Sequence, residues 1–167
     1  MSETEKNLQE AFAGESQANR KYLAFAKKAE AEGHKGIAKL FKAAAAAETI
    51  HAHTHLEVLG GIKSTLENLK AAYSGEHHEF TSMYPQFLEK AKEEKHGEAR
   101  KGFHWANEVE KVHGKLYEHA IESLEGGKDL PDVDYYVCDR CGYTIAEAAP
   151  DKCPVCGAKK ESFFKVD

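Results

Sequence analysis

Glu48-Thr49-Ile50-His51 decides the fold, because the pattern returns as Glu110-Lys111-Val112-His113, 62 residues further on. Two residues three apart on a helix share one face and stand about 4.5 Å apart along its axis. A glutamate and a histidine in that relation can therefore reach one metal ion together. A single such pair on a charged helix is ordinarily a solvated face. Two pairs at matching places in a repeat are not.

The repeat extends outward from these pairs. Ala11-Phe12-Ala13-Gly14-Glu15 is echoed by Ala72-Tyr73-Ser74-Gly75-Glu76 at an offset of 61, and Phe41 and Phe103 share the offset of 62. The intervening chain is rich in Ala, Glu, Lys and Leu, with apolar residues at helical spacing: Leu8, Phe12, Tyr22, Phe25, then Leu40 and Phe41. Gly33 and Gly36 mark one break. Gly60-Gly61 marks a second, with Ser64-Thr65 as the cap of the next helix, and His96-Gly97 marks a third. The spacing predicts four helices, over 3–32, 35–59, 65–95 and 98–125, the third kinked at Pro85. Gly126-Gly127-Lys128-Asp129-Leu130-Pro131 ends the helical part. We read residues 1–127 as a four-helix bundle, 128–134 as a linker and 135–167 as a separate small domain.

Each helix pair thus offers one Glu from its first helix and a Glu-x-x-His from its second, the ligand set of ferritin-like di-metal bundles. Carboxylate and imidazole suit iron or manganese better than thiol-seeking metals. The repeat breaks at one informative place: Glu79 follows Glu76 by three residues, where the first half has Ala18. Seven candidate ligands result: Glu15, Glu48, His51, Glu76, Glu79, Glu110 and His113. Five carboxylates balance two ferric ions better than two ferrous ones. One iron is therefore expected to shift between Glu79 when oxidised and His51 when reduced. His53, His55, His77, His78 and His119 lack this support and read as surface residues or outer neighbours, His55 being a weak further candidate.

All four cysteines lie near the end, as Cys138-x-x-Cys141-Gly142-Tyr143 and Cys153-Pro154-x-Cys156-Gly157. Two such knuckles can surround one metal tetrahedrally, the glycines permitting tight turns around the sulfurs. So short a domain buries too little surface to fold alone, and metal binding should supply much of its stability. Tyr135, Tyr136, Tyr143, Phe163 and Phe164 are the expected aromatic core. The knuckles alone suit structural zinc or redox iron equally. A neighbouring di-iron site needs an electron donor, which favours iron.

Composition sets the outer limits. Hydrophobic residues make up 41% and charged residues 31%, as in ordinary globular proteins. A net charge of −5 with no basic stripe argues against nucleic acid. The longest alanine run, Ala43–Ala47, is far short of a membrane span, and no export segment is read at the start. A cytoplasmic location, with no membrane partner, is the expectation, and in a reducing compartment paired cysteines bind metal.

Taken together, the Gly-Glu, Glu-x-x-His, Gly-Glu-x-x-Glu and paired-knuckle motifs, in this order, resemble the rubrerythrin family over nearly the whole chain. The resemblance implies an all-α ferritin-like bundle followed by a small rubredoxin-like β domain. It implies that all seven bundle residues ligate two irons, with Glu48 and Glu110 bridging and His51 and Glu79 exchanging. Tyr22 and Tyr84 match tyrosines that hydrogen-bond around the site. The implied activity is reduction of hydrogen peroxide to water. Electrons would come from NAD(P)H through a separate reductase or a rubredoxin, and then through the iron at the four cysteines. A helix about fifteen residues long after Glu110, roughly 22 Å, suggests that the module lies far from its own di-iron site. A homodimer, head-to-tail or domain-swapped, is therefore expected to bring it beside the partner's. The alternatives are a ferroxidase, an oxygen reductase, and a non-enzymatic scaffold with a zinc ribbon.

Overall fold

The computed structural model describes residues 1–166 and divides into two compact units, Met1–Lys63 and a second beginning at Ser64.

The first unit is a helical hairpin of α1 (Glu3–Ala31) and α2 (Lys35–Val58). Ser2 starts α1 with a capping box: its side chain accepts from the Glu5 amide while Glu5 reaches back to the Ser2 amide. Gly33 turns the chain at φ +84°, a conformation that glycine adopts without strain. Ala26, Ala29, Ala38, Ala45 and Ala52 are buried, small enough to let the two helices approach closely. Among them Asn19 is buried but satisfied, its Nδ2 donating to the Ala45 carbonyl at 2.7 Å and to Thr49 Oγ1 at 2.8 Å. Tyr22, Phe25 and Phe41 form a ring cluster with centroids 5.6 to 6.3 Å apart.

The second unit begins with a second capping box, Ser64 with Glu67, and runs through α3 (Thr65–His78), a wide π turn (Glu79–Met83) and α4 (Tyr84–Glu93). α5 (Gly97–Glu125) returns along them. The expected kink at Pro85 is instead this π turn, just before the proline. A proline lacks the amide and crowds the carbonyl four residues earlier, and a widened turn relieves both. The turn also explains a drift in the repeat. Glu15 and Glu76 are offset by 61, but Tyr22 and Tyr84, Phe25 and Phe87, and Phe41 and Phe103 are all offset by 62. The extra residue is taken up in the π turn, whose first residue is Glu79. Beyond it the ring cluster is rebuilt: Tyr84, Phe87 and Phe103 have centroids 5.4 to 6.3 Å apart. Phe80, in the turn, lies against α5 at Gly114, where an added Cβ would come within 3.1 Å of its ring.

The cysteine module is a three-stranded antiparallel sheet in the order β2-β1-β3: β1 (Tyr135–Cys138), β2 (Thr144–Ala146) and β3 (Phe163–Lys165). Its core is small: buried Cys138, Cys153 and Ala158, with Tyr143, Val155 and Phe163 packed on them. Tyr143 and Phe163 fulfil the expected aromatic core, edge to face with centroids 6.3 Å apart. Tyr135 and Tyr136 are partly buried outside that cluster. Phe164 does not belong to it either; it is 52% exposed, because strand alternation turns it away from its neighbour Phe163.

The module lies along α5 of its own chain. The Arg140 guanidinium stacks over Trp105 at 5.1 Å, Gly142 faces Val109, and Thr144 Oγ1 is 3.0 Å from His113 Nε2. Residues 105, 109 and 113 form one stripe of the helix, and 140, 142 and 144 run from the turn of the first knuckle to the start of β2. The separation expected from the length of helix after Glu110 is therefore not found, because the chain turns back at Gly127, φ +73°. No helix among the described residues is long and apolar enough to cross a membrane.

Candidate metal centres

Three groups of side chains converge closely enough to hold metal: Glu15, Glu48 and His51; Glu76, Glu110 and His113; and the four cysteines. Within each group the ligand atoms lie within 4.8 Å of one another.

The two carboxylate-histidine triads are nearly the same object twice. His51 Nδ1 is 2.8 Å from Glu48 and 3.9 Å from Glu15. His113 Nδ1 is 2.7 Å from Glu110 and 3.7 Å from Glu76. Helical spacing supplies the shorter distance in each triad, and helix pairing supplies the longer one. The surroundings differ. The His51 side chain is 55% exposed, whereas His113 is 27% exposed and held on its far side by Thr144. His51 Nε2 has no such partner among the described residues.

Charge crowds the second triad. Burial, followed by repulsion from Glu110, raises the Glu76 carboxyl to about 7, while His113 opposes the rise. Burial and Glu110 also push Glu79 above the ordinary carboxylate range. The hydrogen bond that His113 donates to Glu110 raises His113, with Glu76 adding to it against burial. These acids are built to share a positive charge, and a divalent cation fits that need. Tyr84 is raised by burial and then by Glu79, Glu110 and Glu76, so its phenol keeps its proton in the field of these carboxylates. Tyr22 is packed with Phe25 and Phe41, and among the described residues no hydrogen bond joins it to the first triad.

A pH dependence follows. Glu76, Glu79 and His113 each hold a proton more tightly in the folded chain than in the unfolded one. Their contribution is complete below the unfolded pKa and is lost as pH rises through the folded value. The metal-free protein is expected to melt at progressively lower temperature from about pH 5 to about pH 8. Added metal, which replaces those protons, should abolish the slope. A melting series with and without metal checks this, and a metal-free Tm that stays level or climbs over that range would contradict it.

In the third group, Cys138 Sγ is 3.7 Å from Cys156 Sγ, and Cys141 Sγ is 3.6 Å from Cys153 Sγ. A tetrahedron with metal–sulfur bonds of about 2.3 Å has edges of about 3.8 Å. The four sulfurs are free thiols already arranged on such edges. The knuckles repeat one backbone pattern: the Gly142 amide donates to the Cys138 carbonyl, and the Gly157 amide to the Cys153 carbonyl. Both glycines have positive φ, which is why a glycine follows the second cysteine of each pair.

Sequence reasoning passes over two residues here. Tyr117 lines a cavity of about 380 Å³ with Glu76, His113 and Thr144, and its phenol is raised by burial and then by Glu76 and Glu110. Its place in the repeat is taken by His55 in the first half, so no matching tyrosine flags it. Thr144 touches the site only through packing, and no local pattern announces it.

Comparison with known proteins agrees with this geometry. Residues 6–121 match the family model for rubrerythrin, and residues 136–164 match that for the rubredoxin-like domain of rubrerythrin. The chain belongs to the rubrerythrin family. Similar relatives include rubrerythrin-2 of Clostridium acetobutylicum, 38% identical over 93% of this chain and 92% of that one. Nigerythrin of Nitratidesulfovibrio vulgaris is 36% identical over 96% of this chain and 85% of its own. A solved structure of fully reduced, all-ferrous nigerythrin covers 99% of this chain and 88% of that one, with a TM-score of 0.59 at 33% identity. Membership brings the fold expected from the motifs: a ferritin-like helical part, here two helix pairs, followed by a rubredoxin-like sheet. It also brings the cofactors, a di-iron centre with the two triads as its ligand candidates, and a one-metal site at Cys138, Cys141, Cys153 and Cys156.

Proposed function

We propose that this protein is a peroxidase that reduces hydrogen peroxide to water in defence against oxidative stress. The reaction takes two electrons and two protons to turn one peroxide into two waters. A pair of ferrous ions held by the two triads would supply both electrons together, which avoids releasing a hydroxyl radical. The chain's own groups do the rest. Glu15, Glu48 and His51 would be the iron ligands from the first unit and Glu76, Glu110 and His113 those from the second, Glu48 and Glu110 being the bridging carboxylates that the family resemblance implies. The Tyr84 phenol, raised by burial and by the nearby carboxylates, keeps its proton and would donate it to a leaving oxygen.

Glu79 would be the seventh ligand and would exchange with His51 as the redox state changes. Two features support the pairing. Glu79 starts a π turn, the one irregular turn of its helix. His51 is the more exposed of the two triad histidines and its Nε2 has no partner among the described residues, whereas the Nε2 of His113 meets Thr144.

The observation that carries the proposal is the docking of the cysteine module on the triad-bearing helix, with Thr144 against His113. A ferroxidase or storage protein has no use for a redox module placed there. Iron at the four cysteines would return electrons one at a time from a reduced carrier, a rubredoxin or an NAD(P)H-dependent reductase. We further propose a cytoplasmic homodimer. Ile37, Leu40 and Ile50 are large apolar side chains left exposed on the first unit, which a second copy would cover.

The test is to reduce the protein anaerobically and add peroxide and oxygen separately, following reoxidation of both sites. Peroxide is expected to react much the faster. Equal rates, or faster oxygen, would overturn the peroxidase assignment.

A further inference from the structure

The His113 imidazole has a defined partner on each ring nitrogen. Nδ1 faces Glu110 and Glu76, at 2.7 and 3.7 Å. Nε2 faces Thr144 Oγ1 at 3.0 Å, and the same oxygen is 3.0 Å from the Gly142 carbonyl. A carbonyl only accepts and a hydroxyl has one proton, so the Thr144 hydroxyl donates to Gly142. An oxygen that has given its proton to one neighbour can only accept from another. Nε2 therefore carries a hydrogen of its own, so that when a metal displaces the proton shared between Nδ1 and Glu110, the free lone pair is on Nδ1, on the side of the two carboxylates.

We propose that Thr144, a residue of the cysteine module, is a positioning residue for the bundle's metal site, holding His113 as the Nε2-protonated imidazole with Nδ1 presented to the metal. The proposal rests on the reading of His113 as a ligand. Ligating histidines commonly have the other ring nitrogen pinned in this way, which sets tautomer and ring orientation. Here the pin comes from a different domain. Gly142 is the residue after Cys141 and turns at φ +85°, and β2, which Thr144 opens, is paired to β1, which ends at Cys138. The hydroxyl is in place only when the first cysteine knuckle is closed and seated on the stripe of Trp105, Val109 and His113. The closed cysteine site thus prepares one ligand of the bundle site. His51, which has the same Nδ1 geometry but no such pin among the described residues, is the internal comparison.

The experiment uses the full chain loaded with zinc, which is diamagnetic and binds both kinds of site. In 15N-histidine spectra of the wild-type protein, His113 is expected to show a slowly exchanging Nε2 proton and a metal-shifted Nδ1. Zinc bound through Nε2, with the proton on Nδ1, would overturn the proposal without any variant. Thr144→Val keeps the shape and removes the hydroxyl. It is expected to weaken zinc binding at the bundle by about 10- to 100-fold and to expose the Nε2 proton to exchange. Thr144→Ser should restore both. Cobalt–thiolate absorption at the cysteines reports that the module remains folded. Bundle affinity and Nε2 exchange both unchanged in Thr144→Val would refute the role of Thr144. His113→Ala separates the two levels: unchanged bundle affinity there would sink the ligand reading itself, and the proposal with it.

Discussion

Glu110→Ala is expected to strip the bundle of iron and to lower peroxide turnover by about a thousandfold or more, since a bound metal contributes several kcal/mol to such a step and each 1.36 kcal/mol is tenfold in rate. Glu110 occupies the centre of the second triad. It is the carboxylate nearest His113 and the charge that raises both Glu76 and Glu79. Without it three effects should coincide: Glu76 falls toward the ordinary carboxylate range, His113 loses its strongest partner, and a bridging position disappears. Iron analysis, steady-state turnover and a carboxylate titration check the three together. The ferric–thiolate absorption of the cysteine site is the control and should persist. A Glu110→Ala protein that retained its bundle iron and its rate would show that the triad is not the reacting centre.

Cys138→Ser is the second large effect, and it acts on a different link. Cys138 is 1% exposed and belongs to both the sulfur tetrahedron and the small core. A module whose core is two cysteines and an alanine with a few partly buried neighbours has little other stability. Apparent metal-binding free energies of about 10–16 kcal/mol, as for structural zinc sites, are folding free energy in such a domain. Losing one thiolate is expected to unfold residues from Tyr135 on, seen as loss of the sheet's protected amides, while α1 to α5 stay helical. Functionally, the reduced bundle should still consume peroxide once, but repeated turnover through a carrier should collapse. Repeated turnover at the wild-type rate would mean that electrons reach the bundle without the module.

The sequence exposes local geometry far better than tertiary placement. Glu48 with His51, and Glu110 with His113, are legible because three residues on a helix fix which face they share; the observed 2.8 and 2.7 Å contacts follow from that period alone. The knuckles are legible for the same reason, since Gly142 and Gly157 reveal the turns their cysteines require. The π turn is half legible. Pro85 predicts a kink, but the drift from 61 to 62 between Glu76 and Tyr84 is the sharper signal, and it locates an extra residue rather than a bend. The docking of the module is not legible at all. Arg140 on Trp105, Gly142 on Val109 and Thr144 on His113 are meetings of two surfaces far apart in the chain, and nothing within either segment records the other. Counting residues after Glu110 assumes that the chain carries on outward, and Gly127 turns it back.

That docking makes a definite claim: the cysteine site and the bundle form one electron path within this protein. The direct measurement is to reduce both sites fully without oxygen, add peroxide in slight excess, and follow the ferric–thiolate absorption in time. The band is expected to appear after the first oxidation of the bundle, as the cysteine-bound iron gives up its electron to it. It should fail to appear on the same timescale in Glu110→Ala. A band that never forms, or that forms equally fast without Glu110, would contradict a path from the cysteines through the bundle to peroxide.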